Sequence, residues 1–364
     1  MVAAHLALLA ATTLWTKDVG AGFAGPVLAG EKLLLFHRVQ DKEVVDCLEA
    51  KSGKVVWSSG YPTSYRDDFG FDEGPRAMPV IAGGRVFTHG AEGVLQALDL
   101  ATGKRLWSVP TMTQYGVEKN FFGVAGSPVI AGNVVMLNVG GGKGAGIVGF
   151  DAATGKEVWR ATDDPAGYST GIVSGGKAYF LTRTGLVVLD PANGKVVHQM
   201  RWRSRSNASV NAATPVIAGD EVFLSASYGT GATLVRISEN WKQVWSTDDS
   251  LSNHYATSVY RDGYLYGFHG RQEMGQDFRC VEWKTGKVIW SKDGYGAGTV
   301  TLDSDRLVIV RENGEIVTAP PSPKSFQPTT YGRPLTGVVR AYPAVSGRLL
   351  WLRNETRLAA VRLE

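Results

Sequence analysis

A ten-residue segment that ends in tryptophan recurs along this chain of 364 residues and constrains its fold more than any other feature. The four most similar copies are LEAKSGKVVW (48–57), LDLATGKRLW (98–107), FDAATGKEVW (150–159) and VEWKTGKVIW (281–290). Two weaker copies are LDPANGKVVH (189–198), which ends in histidine, and RISENWKQVW (236–245), which retains only the final tryptophan. Recurrence of one segment along a chain indicates a repeat protein, in which each unit buries its apolar surface against its neighbours.

A second shared segment precedes each copy and has the pattern of a β-hairpin. Its versions are PVLAGEKLLLF (26–36), PVIAGGRVFT (79–88), PVIAGNVVML (128–137), IVSGGKAYFL (172–181) and PVIAGDEVFL (215–224). The residues at their centres favour tight turns between strands. Each unit therefore contains two hairpins, or four strands. The 45 glycines and 36 aromatic residues (10 Trp, 13 Tyr and 13 Phe) also favour an all-β fold. Four strands per unit is typical of an antiparallel β-propeller blade.

The units add up to an eight-bladed propeller. We place the blades at 22–57, 75–107, 124–159, 168–198, 210–245, 254–290, 297–331, and 339–363 together with 12–17. The last stretch holds three strands before the chain ends, and the segment around Trp15 resembles the closing strands of the other units. We predict that this N-terminal strand completes the last blade and closes the ring, which removes exposed sheet edges. Seven blades is the alternative, if 297–331 is an irregular insertion.

The repeated segment has the residues that a tight corner between two strands requires. In the second copy, the Asp99 carboxylate can accept hydrogen bonds from turn amides, and Gly103 can adopt a left-handed conformation without a Cβ clash. The final tryptophan lies on the outermost strand and can bury its ring against the next blade.

The net charge and the apolar runs of the sequence bear on its partners, and its first residues suggest a compartment. The net charge is +4 with no basic stripe, so no nucleic-acid partner is expected. No run of 18 apolar residues is present, so no transmembrane segment is expected. We interpret residues 1–11 as a signal remnant or lead-in strand, and 12–364 as a single propeller domain. Export to the periplasm is our interpretation, and a cytoplasmic location stays open.

The repeated corner resembles the tryptophan-docking motif of the PQQ-like β-propeller repeat family, from about Leu14 to Glu364. That family includes quinoprotein dehydrogenases and non-catalytic scaffolds of the BamB type, so fold alone does not decide function. The scaffold resemblance implies a periplasmic, protein-binding ring of eight blades. The other resemblance implies a quinone (PQQ)-dependent sugar or alcohol oxidoreductase. A carbohydrate- or peptide-binding module is a third possibility, with a sugar or peptide as a small polar ligand.

The sequence departs from both the dehydrogenase and the scaffold prototypes. The quinoprotein dehydrogenases carry adjacent cysteines beside the cofactor, whereas this chain has only Cys47 and Cys280, at equivalent positions in the first and sixth units. We therefore expect no cofactor, no disulfide and two small buried thiols. The scaffold prototype is a lipoprotein, and this chain has no lipid-accepting cysteine near its N-terminus, so anchoring by that route is not expected.

Candidate ligand-binding residues lie in loops that we expect at the mouth of the central channel. The richest loop is YPTSYRDDFGFDEGPR (61–76), and Arg76, which directly precedes an inner strand, is the first choice for an anionic ligand. The full set of candidates is Asp68, Asp72, Glu73, Arg76, His254, Tyr255, Arg340 and Tyr342. The alternative interpretation of the loop is that its charges pair with each other and with water.

No catalytic or metal-binding motif stands out. His37, His89 and His269 end second strands of different units, with His89 offset by one residue, so we predict no metal site from them. The glycine run at 140–144 has no helix after it and is interpreted as a hairpin tip instead of a phosphate loop. We found no serine nucleophile elbow or zinc-protease motif, so no catalytic residue is assigned.

Overall fold

A computed structural model describes residues 10–209, 211–238 and 241–364 of the chain. The described strands form eight antiparallel sheets of four strands each. The prediction of an eight-bladed propeller is confirmed. Residues 298–330 form a complete blade and not an insertion, which excludes the seven-bladed alternative.

The strands follow one another around the ring, blade by blade. The first is β1 (Ala11–Asp18). Blade 1 contains β2 (Val27–Ala29), β3 (Lys32–Val39), β4 (Lys42–Glu49) and β5 (Val55–Pro62). Blade 2 contains β6 (Val80–Ala82), β7 (Arg85–His89), β8 (Val94–Asp99) and β9 (Arg105–Pro110), followed by the short helix α1 (Thr111–Tyr115). Blade 3 contains β10 (Val129–Ala131), β11 (Val134–Asn138), β12 (Ile147–Asp151) and β13 (Glu157–Ala161). Blade 4 contains β14 (Ile172–Ser174), β15 (Lys177–Leu181), β16 (Gly185–Leu189) and β17 (Val196–Arg201).

The second half of the ring is built in the same way. Blade 5 contains β18 (Val216–Ala218), β19 (Glu221–Ala226), β20 (Gly231–Arg236) and β21 (Lys242–Thr247). Blade 6 contains β22 (Val259–Arg261), β23 (Tyr264–His269), β24 (Asp277–Glu282) and β25 (Val288–Lys292), with a 3-10 turn at Gln272–Met274. Blade 7 contains β26 (Gly298–Asp303), β27 (Arg306–Arg311), β28 (Ile316–Ala319) and β29 (Thr329–Thr330). Blade 8 contains β30 (Ala344–Ser346), β31 (Leu349–Arg353) and β32 (Arg357–Leu363), and its fourth strand is β1.

The connections fall on two opposite faces of the ring. The first strands of neighbouring blades contact each other, as β10 does β14 and β18 does β22, so these strands line the centre. Because successive strands are antiparallel, the loops between blades and the turns between second and third strands lie on one face, here called the loop face. The corners between third and fourth strands lie on the opposite face.

The ring is closed by the N-terminal strand, as the sequence predicts. β1 pairs antiparallel with β32 from Ala11 opposite Leu363 to Asp18 opposite Arg357. The indole of Trp15 donates a hydrogen bond from Nε1 to the Ala50 carbonyl of blade 1, at 3.1 Å. Residues 1–9, most of the segment interpreted as a signal remnant or lead-in, lie outside the described residues.

At five of the eight blade-to-blade seams, a tryptophan joins one blade to the next through the same two contacts. Trp57 of blade 1 donates from Nε1 to the Leu100 carbonyl of blade 2 at 3.1 Å, and its ring lies directly against Gly103. The corner itself is held by Asp99, whose carboxylate accepts the Thr102 amide at 2.8 Å and the Thr102 hydroxyl at 2.7 Å. Trp107, Trp159 and Trp245 dock in the same way on the glycines at 155, 194 and 286.

Two seams, the interfaces between neighbouring blades, lack both contacts, and the reason lies in the following blade. His198 replaces the tryptophan of blade 4, and the corner of blade 5 that it would meet, 237–241, has no glycine to receive an indole ring. Blade 7 ends in Thr330, and blade 8 has no such corner because its third and fourth strands are the two ends of the chain. At each of these two seams, both the docking tryptophan and the glycine that would receive it are therefore missing. At a third seam, Trp290 of blade 6 donates from Nε1 to the Ser322 carbonyl of blade 7 at 3.0 Å, but no described glycine receives its ring.

The two cysteines are buried free thiols in different blades, as predicted. Burial raises the pKa of both thiols, that of Cys280 to about 12. Because the thiolate is the reactive form, we expect the folded protein not to react with a disulfide reagent at pH 8 and to release two thiol equivalents after unfolding. Fast labelling of the folded protein at either residue would contradict this burial.

Candidate functional site

The mouth of the central channel is framed by the inter-blade loops, which hydrogen-bond to one another around the axis. The Ala24 amide donates to the Pro75 carbonyl at 2.9 Å, which joins the loops that lead into blades 1 and 2. The Met78 amide donates to the Ser127 hydroxyl at 2.8 Å, and so links blades 2 and 3. The Thr257 amide donates to the Tyr342 hydroxyl at 2.7 Å, from the loop of blade 6 to that of blade 8. These bonds fix the positions of the loops relative to one another.

Two of the candidate arginines meet at the mouth beside one aromatic ring, that of Phe23. The Arg76 guanidinium lies 5.8 Å from the centre of the Phe23 ring, and the Arg340 guanidinium lies 5.5 Å from it. Arg76 also donates to the buried carboxylate of Asp67 at 2.5 Å. Arg340 donates to the Glu312 carboxylate. Each arginine therefore has a carboxylate partner and an aromatic surface inside the protein.

The remaining candidates at the mouth cluster around Glu312. Gln272 donates from its amide to both oxygens of this carboxylate, at 2.9 and 3.0 Å. The negative charge of Glu312 adds to burial in raising the pKa of Tyr255 above its ordinary value. Burial is also the main cause that lowers the pKa of His254, whose Nε2 lies 3.2 Å from the Tyr228 hydroxyl. His254, Tyr255, Arg340 and Tyr342 are thus brought together on one side of the mouth.

The acidic candidates of the 61–76 loop have other partners. The Asp72 carboxylate accepts the amides of Gly22 and Gly74, at 3.0 and 2.6 Å, which ties the loop to the N-terminal side of blade 1. Asp68 pairs with Lys119 of the next inter-blade loop at 2.5 Å. Glu73 lies 3.3 Å from Arg66. The charges of this loop therefore pair within the protein.

Sequence reasoning missed the groups that organise the mouth. Phe23 and Glu312 lie far from Arg76 and Arg340 in sequence, and neither belongs to a repeated motif. The loops outside the motif also contain exposed phenylalanines, Phe69 and Phe71, which a search for titratable groups passes over. The pattern Phe69-Gly70-Phe71 in a polar loop was the signal available in the sequence.

The described residues hold no group of three or more potential metal ligands. The three histidines at second-strand ends have separate protein partners. His37 Nε2 lies 3.1 Å from Asp46, and His269 Nδ1 accepts the Ser252 amide at 3.1 Å. The quinone site of the dehydrogenases does not fit this chain, because its only cysteines are buried in blades 1 and 6.

His89 makes the stability of the loop region dependent on pH. Its ring is buried between Gly126 and Thr111, and burial lowers its pKa to about 4. In the unfolded chain the pKa is about 6.5, so the unfolded state takes up the proton first as the pH falls, and acid favours unfolding between these two values. We expect the loss of unfolding free energy between pH 7 and 4.5 to be about 2 kcal/mol smaller in His89→Gln than in the wild type. Equal losses in urea titrations would contradict this assignment.

A comparison with protein families places the chain among known propellers. The family model described as outer membrane protein assembly factor BamB matches residues 3–166 and 117–292. The two matches together cover well over half of the chain. The chain belongs to this BamB family. In the part of the chain that the structure describes, no helix has the length and apolar character needed to span a bilayer.

Individual relatives include both an outer membrane protein assembly factor and an enzyme. BamB of Yersinia pestis is 22% identical over 275 residues, which cover 72% of this chain and 66% of that protein. Quinohemoprotein alcohol dehydrogenase ADH-IIG of Pseudomonas putida is 37% identical over 125 residues, but these cover only 32% of this chain and 16% of the enzyme. The chain thus spans about two thirds of the first relative's length and far less of the second's. The crystal structure of BamB from Moraxella catarrhalis superposes with a TM-score of 0.70 and 15% identity, covering 97% of both chains, which supports the fold.

Proposed function

We propose that this chain is a non-catalytic scaffold that binds other proteins in the cell envelope and takes part in outer-membrane protein assembly. The observation that carries the proposal is the channel mouth, where the charged candidates already pair inside the protein, as Arg76 does with Asp67 and Arg340 with Glu312. Among the described residues, these charged candidates are engaged by protein partners, so the mouth offers a stable, shaped surface for another molecule to contact. Membership of the BamB family supports the same function.

The location that goes with this function is the periplasm. The family match and the relative from Yersinia pestis, a protein named as an outer membrane assembly factor, support it. A fusion to alkaline phosphatase, which is active only after export, tests the location. Inactive fusion protein at normal abundance would contradict it.

Removal of the gene from its own organism tests the function. We expect the amounts of outer-membrane proteins to fall relative to those of inner-membrane proteins, as measured by quantitative mass spectrometry of the separated membranes. Expression of the wild-type gene from a plasmid should restore them. Unchanged outer-membrane protein amounts in the deletion strain would contradict the proposed function.

A quinone-dependent sugar or alcohol oxidoreductase is the second candidate, and the 37% identity to a quinohemoprotein alcohol dehydrogenase over 125 residues favours it. The absence of adjacent cysteines from the sequence weighs against it. The test adds PQQ with calcium to the purified protein and measures dye reduction with alcohols and sugars. Turnover above that of heat-denatured protein would establish this candidate and overturn the scaffold proposal.

A small polar ligand, such as a sugar or a peptide, is a further proposal for the 61–76 loop. Arg76 is its main candidate residue, and Arg66 of the same loop is more exposed. Glycan and peptide arrays probed with wild type, Arg76→Ala and Arg66→Ala would test it. Array binding that survives both substitutions would reject the loop as the ligand site.

A further inference from the structure

Four phenylalanine rings form a continuous apolar surface on the loop face, here called the phenylalanine patch: Phe69, Phe71, Phe121 and Phe122. Phe69 and Phe71 are 55% and 56% exposed, although large apolar side chains such as phenylalanine are usually buried. The centre of the Phe69 ring lies 5.2 Å from that of Phe122 and 6.1 Å from that of Phe121. The centre of the Phe71 ring lies 6.0 Å from that of Phe122. Two inter-blade loops therefore contribute one shared surface.

The phenylalanine patch is held in place by contacts beneath it. The Phe122 amide donates to the Tyr168 hydroxyl at 2.7 Å, and the Phe122 ring lies 5.9 Å from that of Tyr168. The Phe69 amide donates to Asp67, the carboxylate that also holds Arg76. A rigid aromatic surface loses little conformational entropy when a partner covers it. Rigid, exposed aromatic groups are the usual energetic centres of protein interfaces.

An unpaired positive region borders the phenylalanine patch. The Arg183 guanidinium lies 5.4 Å from the centre of the Phe121 ring and donates to two neutral oxygens, the Asn120 side-chain oxygen at 2.8 Å and the Asn207 carbonyl at 2.7 Å. Burial lowers the pKa of Arg183, and the positive charge of nearby Arg203 lowers it further. Among the described residues, no carboxylate lies within ion-pair distance of either guanidinium. A carboxylate from a partner would relieve this repulsion.

The mixed charge around the patch favours a protein partner over a lipid surface. Asp68 and Glu73 lie beside the exposed phenylalanines, and their side chains are 60% and 42% exposed. Such carboxylates are repelled by anionic lipid headgroups. A protein segment can place its own charges to match both signs.

We propose that the phenylalanine patch, together with Arg183 and Arg203, docks a partner-protein segment that carries aromatic or branched aliphatic side chains next to Asp or Glu. The apolar side chains cover Phe69 and Phe71, and a carboxylate pairs with the two arginines. This inference rests on the proposed scaffold function and specifies the chemistry of its partner.

Selection from a display library of random twelve-residue peptides tests the inference without a known partner. We expect the peptides enriched on the wild-type protein to combine aromatic or aliphatic residues with Asp or Glu. In fluorescence anisotropy, the double variant Phe69→Ser/Phe71→Ser and the variant Arg183→Gln should each bind these peptides at least tenfold more weakly. Trp241→Ser removes an aromatic ring that is 47% exposed at a corner on the opposite face and should bind like the wild type.

Several outcomes would overturn the inference. Enrichment of basic or purely polar peptides, no enrichment at all, or wild-type affinity in the Phe69/Phe71 double variant would each do so. So would binding to phosphatidylglycerol vesicles that is lost in the double variant while selected peptides bind unchanged. Thermal melts show whether the variants fold, and both phenylalanines are exposed enough for folding to survive. If the patch fails these tests while gene removal depletes outer-membrane proteins, the scaffold function stands and only the partner assignment falls.

Discussion

Replacing Trp15 with alanine is expected to lower the free energy of unfolding by about 3–5 kcal/mol. Its indole packs onto Gly53 of blade 1 and donates to the Ala50 carbonyl. The substitution removes a large, partly buried ring and leaves the carbonyl with one hydrogen bond fewer. Trp15 lies on the strand that joins the two ends of the chain. Urea unfolding followed by far-UV circular dichroism should therefore show a midpoint at a lower urea concentration.

Leu14→Ala provides a matched control for this measurement. Leu14 lies next to Trp15 on the same strand, and it is 44% exposed. Its truncation should cost less than about 1 kcal/mol, since surface substitutions usually have small effects. If Trp15→Ala and Leu14→Ala destabilise the protein equally, the docking of Trp15 contributes nothing to ring closure.

Gly103→Ala is expected to destabilise the protein by about 2–5 kcal/mol, for two separate reasons. Gly103 has a φ of +73°, and an added Cβ would lie 2.5 Å from Cε3 of Trp57. The left-handed backbone alone costs an L-residue about 1–2 kcal/mol. Displacement of the indole adds about 1–3 kcal/mol, in the range of an overpacked core.

Gly132→Ala separates these two contributions. Gly132 also has a positive φ, +56°, but a Cβ built there meets no heavy atom within 4 Å. Gly132→Ala should therefore lower the free energy of unfolding only by the cost of the left-handed backbone, about 1–2 kcal/mol. Equal destabilisation of the two variants in urea titrations would mean that close contact between the tryptophan and the glycine is not required for docking.

The repeated corners made the fold predictable from the sequence. A motif such as LDLATGKRLW contains both the glycine that receives an indole and the tryptophan that docks on the next blade. Because both groups recur, counting the units predicted eight blades, with seven as the alternative, and predicted the role of Trp15. The two seams without docking also have a sequence basis, since His198 precedes a blade whose corner lacks glycine.

The candidate site was predictable only in part. The position of Arg76 before an inner strand suggested a side chain at a loop-face connection, whereas its partner ring, Phe23, belongs to a different blade and to no motif. The contact between Arg340 and Glu312 was not predictable either, because the loops that carry these residues have no repeated sequence pattern. Loop contacts of this kind depend on the three-dimensional ring, which places segments side by side that are remote in sequence.

Hydrogen–deuterium exchange of the intact protein, read by mass spectrometry of peptides that cover 11–18 and 357–363, most directly tests the claim that the ring is closed. The closed propeller predicts that both peptides exchange slowly and at similar rates, because β1 and β32 hydrogen-bond along their length. Exchange of 11–18 at the rate of an unstructured peptide, with the blades protected, would mean an open arc and would contradict the account.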